Sequence, residues 1–380
     1  MASLFLLGVL SLLPLVTASP APVPRSTRPC KDLTLSLPIM ATNSLYDIPH
    51  VDNTIDAVDL VWNLDTWTAP SPADRIKGDI PINQIFTISA QLCVPEDSKK
   101  KGILQIATHG FGFDKRYWDP SIQTEKYSYV DAALNAGYSI LTYDRLGVGS
   151  SDKPDAYNTV QVPVEVEILK ELTLLARSGS LNHTFDKIVL VGHSLGSGLT
   201  LGVLSSYPTL ANGAVSTGLI PSDLFGTAGQ RGFGLEFAAQ SDPGRFGERS
   251  SGYLVQGTLG AMQQIFFKKG YFDEELLEYA ESIKETGTVG EFVSLATALG
   301  SPAEGYRGPL LFALGEYDFA VCQGNCTGAY DLEALRNETF ATAKNVDVHI
   351  QPGSGHALTM HINATGHYQA IFDYLNKFDL

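Results

Sequence analysis

A short apolar segment that runs directly into a glycine-flanked serine restricts the fold of this chain more than any other feature. The letters KIVLV predict a buried strand, GHSLG follows without a gap with Ser194 at its centre, and Leu195 to Ser206 predicts a small-residue helix. A turn this tight tolerates only very small residues two positions before and after the serine, which are Gly192 and Gly196. The pattern predicts that Ser194 is a nucleophile held above the carboxyl edge of a sheet.

Short apolar strands alternate with helical segments from about residue 80, which predicts a mostly parallel central sheet with helices on both faces. The alternation stops between about residues 221 and 300, where the chain is rich in Phe and Gly, and it then resumes. We therefore interpret 80–220 and 301–380 as two parts of one α/β core, 221–300 as an inserted helical cap, and 19–79 as an N-terminal extension.

Composition narrows the range of partners. The 380 residues carry a formal net charge of −15, which argues against nucleic acid or an anionic membrane as a main partner. Neither a glycine-rich nucleotide fingerprint after a strand nor a His/Glu metal motif occurs, so we expect no cofactor and no metal. The expected substrate is a small molecule, and the oligomeric state stays open.

The N-terminus predicts secretion. Phe5 to Val16 is an apolar run of the length of a signal-peptide core, and a small-residue cleavage pattern ends at Ala18. We interpret residues 1–18 as a cleaved signal peptide with no stable membrane anchor elsewhere; a signal anchor or a buried helix is the alternative. Four glycosylation triplets agree with this prediction: they begin at Asn182, Asn325, Asn337 and Asn363.

The four cysteines also suit an oxidising compartment. Cys322 and Cys326 lie four residues apart in a glycine-containing loop, which leaves Cys30 and Cys93 as a second pair. Four cysteines permit three pairings, so two disulfides in this combination are an inference from spacing. Free thiols or a metal site are the alternatives, although a zinc site would need two closely spaced pairs.

Several motifs together resemble the α/β-hydrolase superfamily over roughly residues 80 to 380. They are His109-Gly110-Phe111 after one strand, the D-R-x-G-x-G-x-S segment that begins at Asp144 after the next, and the GHSLG turn. In detail the chain is similar to secreted fungal serine hydrolases of the esterase or lipase type with a helical cap. The resemblance implies the chain order nucleophile, acid, histidine.

The resemblance puts the acid after the strand that contains Leu311 to Leu314, and Asp318 stands at that place. Glu316, two residues earlier, is a competing candidate. Asp223, which follows the strand before the insert, is a further candidate, because some relatives have their acid at that place. The alternative to a catalytic role, for any aspartate in a loop, is a structural role as a turn residue.

Four histidines follow the acid. His356 lies in a glycine-containing loop directly after the strand from Val346 to Ile350, where a turn can bring an imidazole onto the serine, and we assign it as the base. His349 falls within that strand and is expected to be structural. His361 is expected to be a helix or surface residue.

The backbone N–H groups of Leu195 and Phe111 are the expected oxyanion donors, one beside the nucleophile and one in the loop after the first parallel strand. His109 is expected to orient that loop, unless it is only a satisfied buried histidine. We expect Asp144-Arg145 to brace the active-site loops without chemistry of its own.

The insert is rich in aromatic residues, which suits an apolar ester or a lactone, although these side chains could equally hold the insert together. They are Phe225, Phe233, Phe237, Phe246, Tyr253, Phe266 and Phe267. Tyr117 and Trp118 could line the same pocket.

The sequence predicts a secreted serine hydrolase; an acyltransferase, a peptidase or a non-catalytic binding protein are the alternatives. Aspartate, not serine, stands at this turn in resembling epoxide hydrolases and dehalogenases.

Overall fold

The computed structural model describes residues 28–96, 98–222, 231–299 and 301–380. The predicted signal peptide, the alternative acid Asp223 and the aromatic residue Phe225 lie outside these residues.

An eight-stranded sheet forms the centre of the molecule. Its strands are β1 (Cys30–Tyr46), β2 (Ile76–Cys93), β3 (Ile103–Thr108), β4 (Ser139–Tyr143), β5 (Lys187–His193), β6 (Gly213–Thr217), β10 (Pro309–Gly315) and β11 (Asn345–Gln351). They lie in the order β1-β2-β4-β3-β5-β6-β10-β11. Strands β3 to β6, β10 and β11 pair in parallel, and β1 and β2 are antiparallel additions at the β4 edge. The fold is the α/β-hydrolase fold that the sequence predicts.

The sheet begins earlier in the chain than the sequence suggests. The segment interpreted as an extension contributes β1, which pairs with β2 along its whole length, from Cys30 opposite Cys93 to Tyr46 near Ile76. The sulfur atoms of this first pair lie 2.06 Å apart, at disulfide distance. Apolar residues alternate with exposed ones along β1, as at Leu35, Leu37 and Ile39, so the period of two that indicates a half-buried strand is present in the sequence and was overlooked there.

Helices pack in two groups against the sheet. The described helices are α1 (Thr54–Asp65), α2 (Thr124–Tyr127), α3 (Tyr129–Asn135), α4 (Val162–Ser178), α5 (Leu195–Ser206), α6 (Ala238–Ser241), α7 (Pro243–Phe246), α8 (Leu259–Phe266), α9 (Glu274–Ile283), α10 (Val289–Ser294), α11 (Ala296–Leu299), α12 (Phe319–Cys322), α13 (Leu332–Ala334) and α14 (Ala364–Asn376). Helices α4 and α5 contact each other, and α14 contacts α2 and α3 as well as the last two strands. Within the described ranges, none of them has the length and apolar character needed to span a membrane.

The insert between β6 and β10 contains helices α6 to α11, and in addition a small antiparallel sheet that the sequence analysis did not predict. Its strands are β7 (Leu235–Phe237), β8 (Tyr253–Gln256) and β9 (Gly287–Thr288), in the order β7-β8-β9. Strands of two to four residues are too short to show a period of two, so pairing with distant segments creates them.

A fully buried ion cluster joins the insert to the core. Arg145 Nη1 donates to Glu165 Oε1 of α4 over 2.6 Å and also to Glu291 of α10. Glu291 Oε2 in turn accepts the Thr288 N–H over 2.7 Å in a capping box. Burial raises the pKa of the Glu165 carboxyl well above its ordinary value. The expected bracing role of the Asp144-Arg145 segment is thus matched by contacts that reach the insert.

Replacing Arg145 with methionine is expected to lower the free energy of unfolding by about 3–5 kcal/mol, because it leaves two buried carboxyl groups without their cation. Lys77→Met is the matched control: Lys77 pairs with Asp47 over 3.3 Å at the surface, and its loss should cost at most about 1 kcal/mol. Urea unfolding curves of the two variants measure the difference. Equal losses in both would contradict the role of the cluster.

Candidate active site

Ser194 stands in a strained turn between β5 and α5. Its φ of 53° and ψ of −118° place a non-glycine residue at positive φ, a conformation that costs about 1–3 kcal/mol and that clusters at active sites. A Cβ on Gly196 would lie 2.2 Å from the Thr108 carbonyl oxygen, and one on Gly192 would lie 2.4 Å from the Gly196 carbonyl oxygen. Neither glycine position has room for a side chain, which explains the spacing in the sequence.

Three side chains from distant parts of the chain meet at this turn. The Ser194 hydroxyl donates to His356 Nε2 over 2.9 Å, and His356 Nδ1–H donates to Asp318 Oδ2 over 2.7 Å. His356 and Asp318 are fully buried, whereas Ser194 is half-buried. The structure therefore brings together the serine, histidine and aspartate that the sequence predicts, in the geometry of a nucleophile, a base and an orienting acid.

The loop after β10 presents Asp318 and turns Glu316 away. Asp318 Oδ1 accepts the Val321 N–H over 2.9 Å as the N-cap of α12. Glu316 Oε2 instead accepts the Gly353 N–H over 2.9 Å, so this competing candidate acid serves the neighbouring loop. The Cys322 and Cys326 sulfurs lie 2.13 Å apart at the end of α12, at disulfide distance, and close the same loop.

His361 supports the loop that carries His356. Its Nε2 accepts the backbone N–H groups of Gly355 over 2.9 Å and Lys268 over 3.2 Å, and its Nδ1–H donates to the Ala357 carbonyl over 2.8 Å. The expectation of a helix or surface residue was wrong, because the side chain is fully buried. His349 lies within β11 as expected, and His367 is buried in α14.

Acid should destabilise the fold through these buried histidines. Burial lowers the pKa of His361 to about 4, whereas a histidine in the unfolded chain titrates near about 6.5. Between these values the unfolded chain binds the extra proton, so the free energy of unfolding falls by about 1.4 kcal/mol per pH unit for this group as the pH is lowered. Burial likewise lowers the pKa of His367 to about 3.

Urea unfolding at several pH values between 6.5 and 4.5 measures how steeply the free energy of unfolding falls with pH. His361→Gln keeps an acceptor oxygen without the titration, and it should reduce the slope by about 1.4 kcal/mol per pH unit. An unchanged slope in this variant would show that His361 is not neutral in the folded protein.

The loop after β3 lies against the serine. A Cβ on Gly110 would be 2.9 Å from the Ser194 Cβ, and Phe111 is the next residue of this loop. Across the described residues, the backbone N–H groups of Phe111 and Leu195 have no hydrogen-bond acceptor. His109 holds this loop, because its Nδ1–H donates to the Gly110 carbonyl over 2.9 Å and its Nε2 accepts the Arg145 N–H over 3.1 Å. Both free N–H groups are therefore available to an oxyanion.

Aromatic side chains of the loop and the insert form a continuous group beside His356, which we call the aromatic layer. The Phe266 ring lies 5.6 Å from the His356 ring, Phe233 lies 6.0 Å from Phe266, and Phe111 lies 5.4 Å from Phe233. The members of the aromatic layer are Phe111, Phe113, Phe233, Phe266 and Phe292. Phe113 and Phe292 were both missed in the sequence, since each is a single aromatic residue with no distinguishing pattern around it.

Other aromatic candidates lie elsewhere. Phe246 and Tyr253 form a separate small core with three aliphatic side chains, and Phe267 contacts Phe272 and His361. Tyr117 and Trp118 are fully buried against His193, with the Tyr117 and His193 rings stacked 4.3 Å apart. Tyr117 and Trp118 thus pack against the residue before Ser194, whereas the aromatic layer adjoins His356.

Among the described residues, no group of His, Cys, Asp and Glu side chains is arranged to hold a metal ion.

Comparison with known proteins identifies a family. The model of a family described as the alpha/beta hydrolase family matches residues 106–365. No curated protein sequence matches the chain.

Solved structures share the fold at low sequence identity. A carboxylesterase structure from the thaumarchaeon Nitrososphaera gargenis is 14% identical with a TM-score of 0.52, and covers 78% of this chain and 97% of its own. The epoxide hydrolase VrEH1 of Vigna radiata is 15% identical with a TM-score of 0.51, and covers 77% and 95% respectively. Identities this low show a common fold, and the activity has to be argued from the site.

Proposed function

The chain belongs to the alpha/beta hydrolase family, and from that premise we propose that it is a secreted serine hydrolase that cleaves a carboxylic ester or a lactone. The observation that carries the proposal is the hydrogen-bonded series from the Ser194 hydroxyl through His356 to Asp318. Solved relatives include a carboxylesterase and an epoxide hydrolase. Serine at the strand–helix turn favours ester chemistry, because the resembling epoxide hydrolases use aspartate there.

Each side chain has one role in the proposed reaction. Ser194 Oγ attacks the ester carbonyl while His356 Nε2 takes its proton, and Asp318 stabilises the imidazolium that forms. His356 then gives the proton to the departing alkoxide, which leaves as the alcohol. An acyl group remains bound to Ser194 Oγ.

The second half repeats the proton transfers with water. His356 removes a proton from the water as it attacks the acyl-enzyme, and returns this proton to Ser194 as the acid departs. In both halves the negative carbonyl oxygen accepts hydrogen bonds from the N–H groups of Phe111 and Leu195. Because α5 starts at Leu195, its N-terminal dipole points to the same oxygen.

The aromatic layer favours an apolar substrate, since it offers ring faces and edges next to the base and leaves few polar groups to bind charge. We therefore propose a small, largely apolar ester or lactone. Secretion and glycosylation belong to the same proposal. All four triplet asparagines, at 182, 325, 337 and 363, are exposed, which an oligosaccharide requires.

A hydrolysis screen over esters and lactones of graded acyl length tests the proposal, with covalent labelling of Ser194 by a fluorophosphonate in parallel. We expect labelling together with turnover of short or medium apolar acyl groups. Added alcohol acceptors and peptide substrates test the acyltransferase and peptidase alternatives. Folded protein that is neither labelled nor active on any ester would contradict the hydrolase assignment and favour a binding protein.

A further inference from the structure

Gln256 is a polar side chain on an apolar wall of the insert. Along β8, Tyr253 and Val255 face the separate small core, whereas Leu254 belongs to the main core that also contains Phe111 and Phe233. Alternation places Gln256 on the same face as Leu254. Its register partner on β7, Leu235, belongs to that main core as well. The amide therefore points toward the side of the insert that holds the aromatic layer.

The amide group of Gln256 is buried without a partner. The residue has no exposed surface, and neither Nε2 nor Oε1 has a hydrogen-bond partner among the described residues. Its backbone carbonyl, in contrast, accepts the Lys284 Nζ–H over 3.0 Å. An unpaired buried donor or acceptor costs about 1–3 kcal/mol, so the folded chain by itself gains nothing from an amide here. A group that binds at this place would remove the penalty.

The amide lies against the loop of the proposed oxyanion donor. A Cβ on Gly112 would be 2.6 Å from Gln256 Nε2 and 2.7 Å from Oε1, and the φ of +79° at Gly112 also favours glycine. Gly110, two residues earlier, adjoins Ser194. Because consecutive Cα atoms are about 3.8 Å apart, Gly112 lies at most about 7.6 Å from Gly110. The amide and Ser194 thus contact the same three-residue segment, Gly110 to Gly112, which also carries the N–H group of Phe111.

We propose that the Gln256 amide binds a hydroxyl group of the substrate a few bonds from the scissile carbonyl, and so selects hydroxylated esters or lactones over plain hydrocarbon ones. A hydroxyl both donates and accepts, which matches an amide that offers one acceptor oxygen and two N–H donors. This inference rests on the proposed function for the position of the substrate. The aromatic layer then binds the apolar part of the same molecule.

Binding to an inactive protein separates the inference from the reaction. Ser194→Ala protein is titrated calorimetrically with an unsubstituted apolar ester and with the same ester carrying a hydroxyl on the second, third or fourth acyl carbon, or on its alcohol part. We expect at least one hydroxylated ester to bind about 10- to 100-fold more tightly than the plain one. Adding Gln256→Leu should reduce this preference to within about twofold.

Two further variants make the result specific. Gln256→Met is unbranched and of similar length, and it should lose the preference in the same way if leucine perturbs the fold. Gln264→Leu removes an exposed amide from α8 of the same insert and should keep the preference. Equal affinity for hydroxylated and plain esters in Ser194→Ala protein, or a preference that survives both Gln256 variants, would overturn the inference.

The hydrolase assignment fails separately. If the protein with Ser194 intact hydrolyses none of these esters while the preference that depends on Gln256 remains, the reaction is wrong and the binding site stands. If hydrolysis proceeds and the preference is absent, the reaction stands and the role of Gln256 is wrong.

Discussion

Replacing Ser194 with alanine is expected to lower kcat for ester hydrolysis by roughly 10⁴- to 10⁶-fold, since no other group at the turn can form the acyl-enzyme. Labelling by a fluorophosphonate should disappear as well. We expect the variant to fold, because the change removes only one hydroxyl from a half-buried residue and no packing contact of the core is lost. Steady-state kinetics on the best ester of the screen, with mass spectrometry of the labelled protein, measure both effects.

Ser197→Ala is the matched control on the same helix. The Ser197 hydroxyl donates to the Thr217 carbonyl over 2.9 Å, and that carbonyl also accepts the Ser194 N–H over 2.8 Å. Removing the Ser197 hydroxyl therefore leaves the Thr217 carbonyl with a donor and should change kcat by less than about tenfold. Comparable losses in both variants would mean that the damage comes from the turn and not from the nucleophile.

Asp318→Asn is expected to lower kcat by about 10⁴-fold, with a smaller effect on KM. An amide in place of the carboxylate cannot stabilise the imidazolium, and its NH₂ group can hold His356 in the wrong tautomer. The His356 Nδ1–Asp318 Oδ2 distance of 2.7 Å is the contact on which this prediction depends. The measurement is the pH dependence of kcat and kcat/KM for the same ester.

Glu316→Gln distinguishes the two candidate acids after β10. Glu316 Oε2 accepts the Gly353 N–H, and a glutamine oxygen can accept the same bond, so kcat should change by less than about tenfold. If Glu316→Gln lost far more activity than Asp318→Asn, the assignment of the acid would have to be reversed. Retained activity in both would direct attention to Asp223.

The core strands and the turn were predictable because local pattern determines them. The strand before Ser194 is buried on both faces, so it is apolar throughout, and α5 begins at Leu195 where the small-residue segment begins. Strand β1 was overlooked although its apolar residues alternate, whereas the small sheet of the insert was not predictable, because its strands are too short to show a pattern and exist only through their partners. His361 was misjudged because burial depends on what packs around a loop.

The sequence by itself determined the α/β-hydrolase fold, the position of Ser194 and a short set of candidate acids and bases, because a strained strand–helix turn demands glycines at fixed spacing. Only the tertiary structure decided which of the described candidates meet. Asp318 and His356 are 38 residues apart, and His356 and Ser194 are 162 apart, so their hydrogen bonds exist only once the sheet is assembled. Hydrogen bonds and buried charge pairs act over a few ångströms, and sequence spacing cannot show which distant loops come that close.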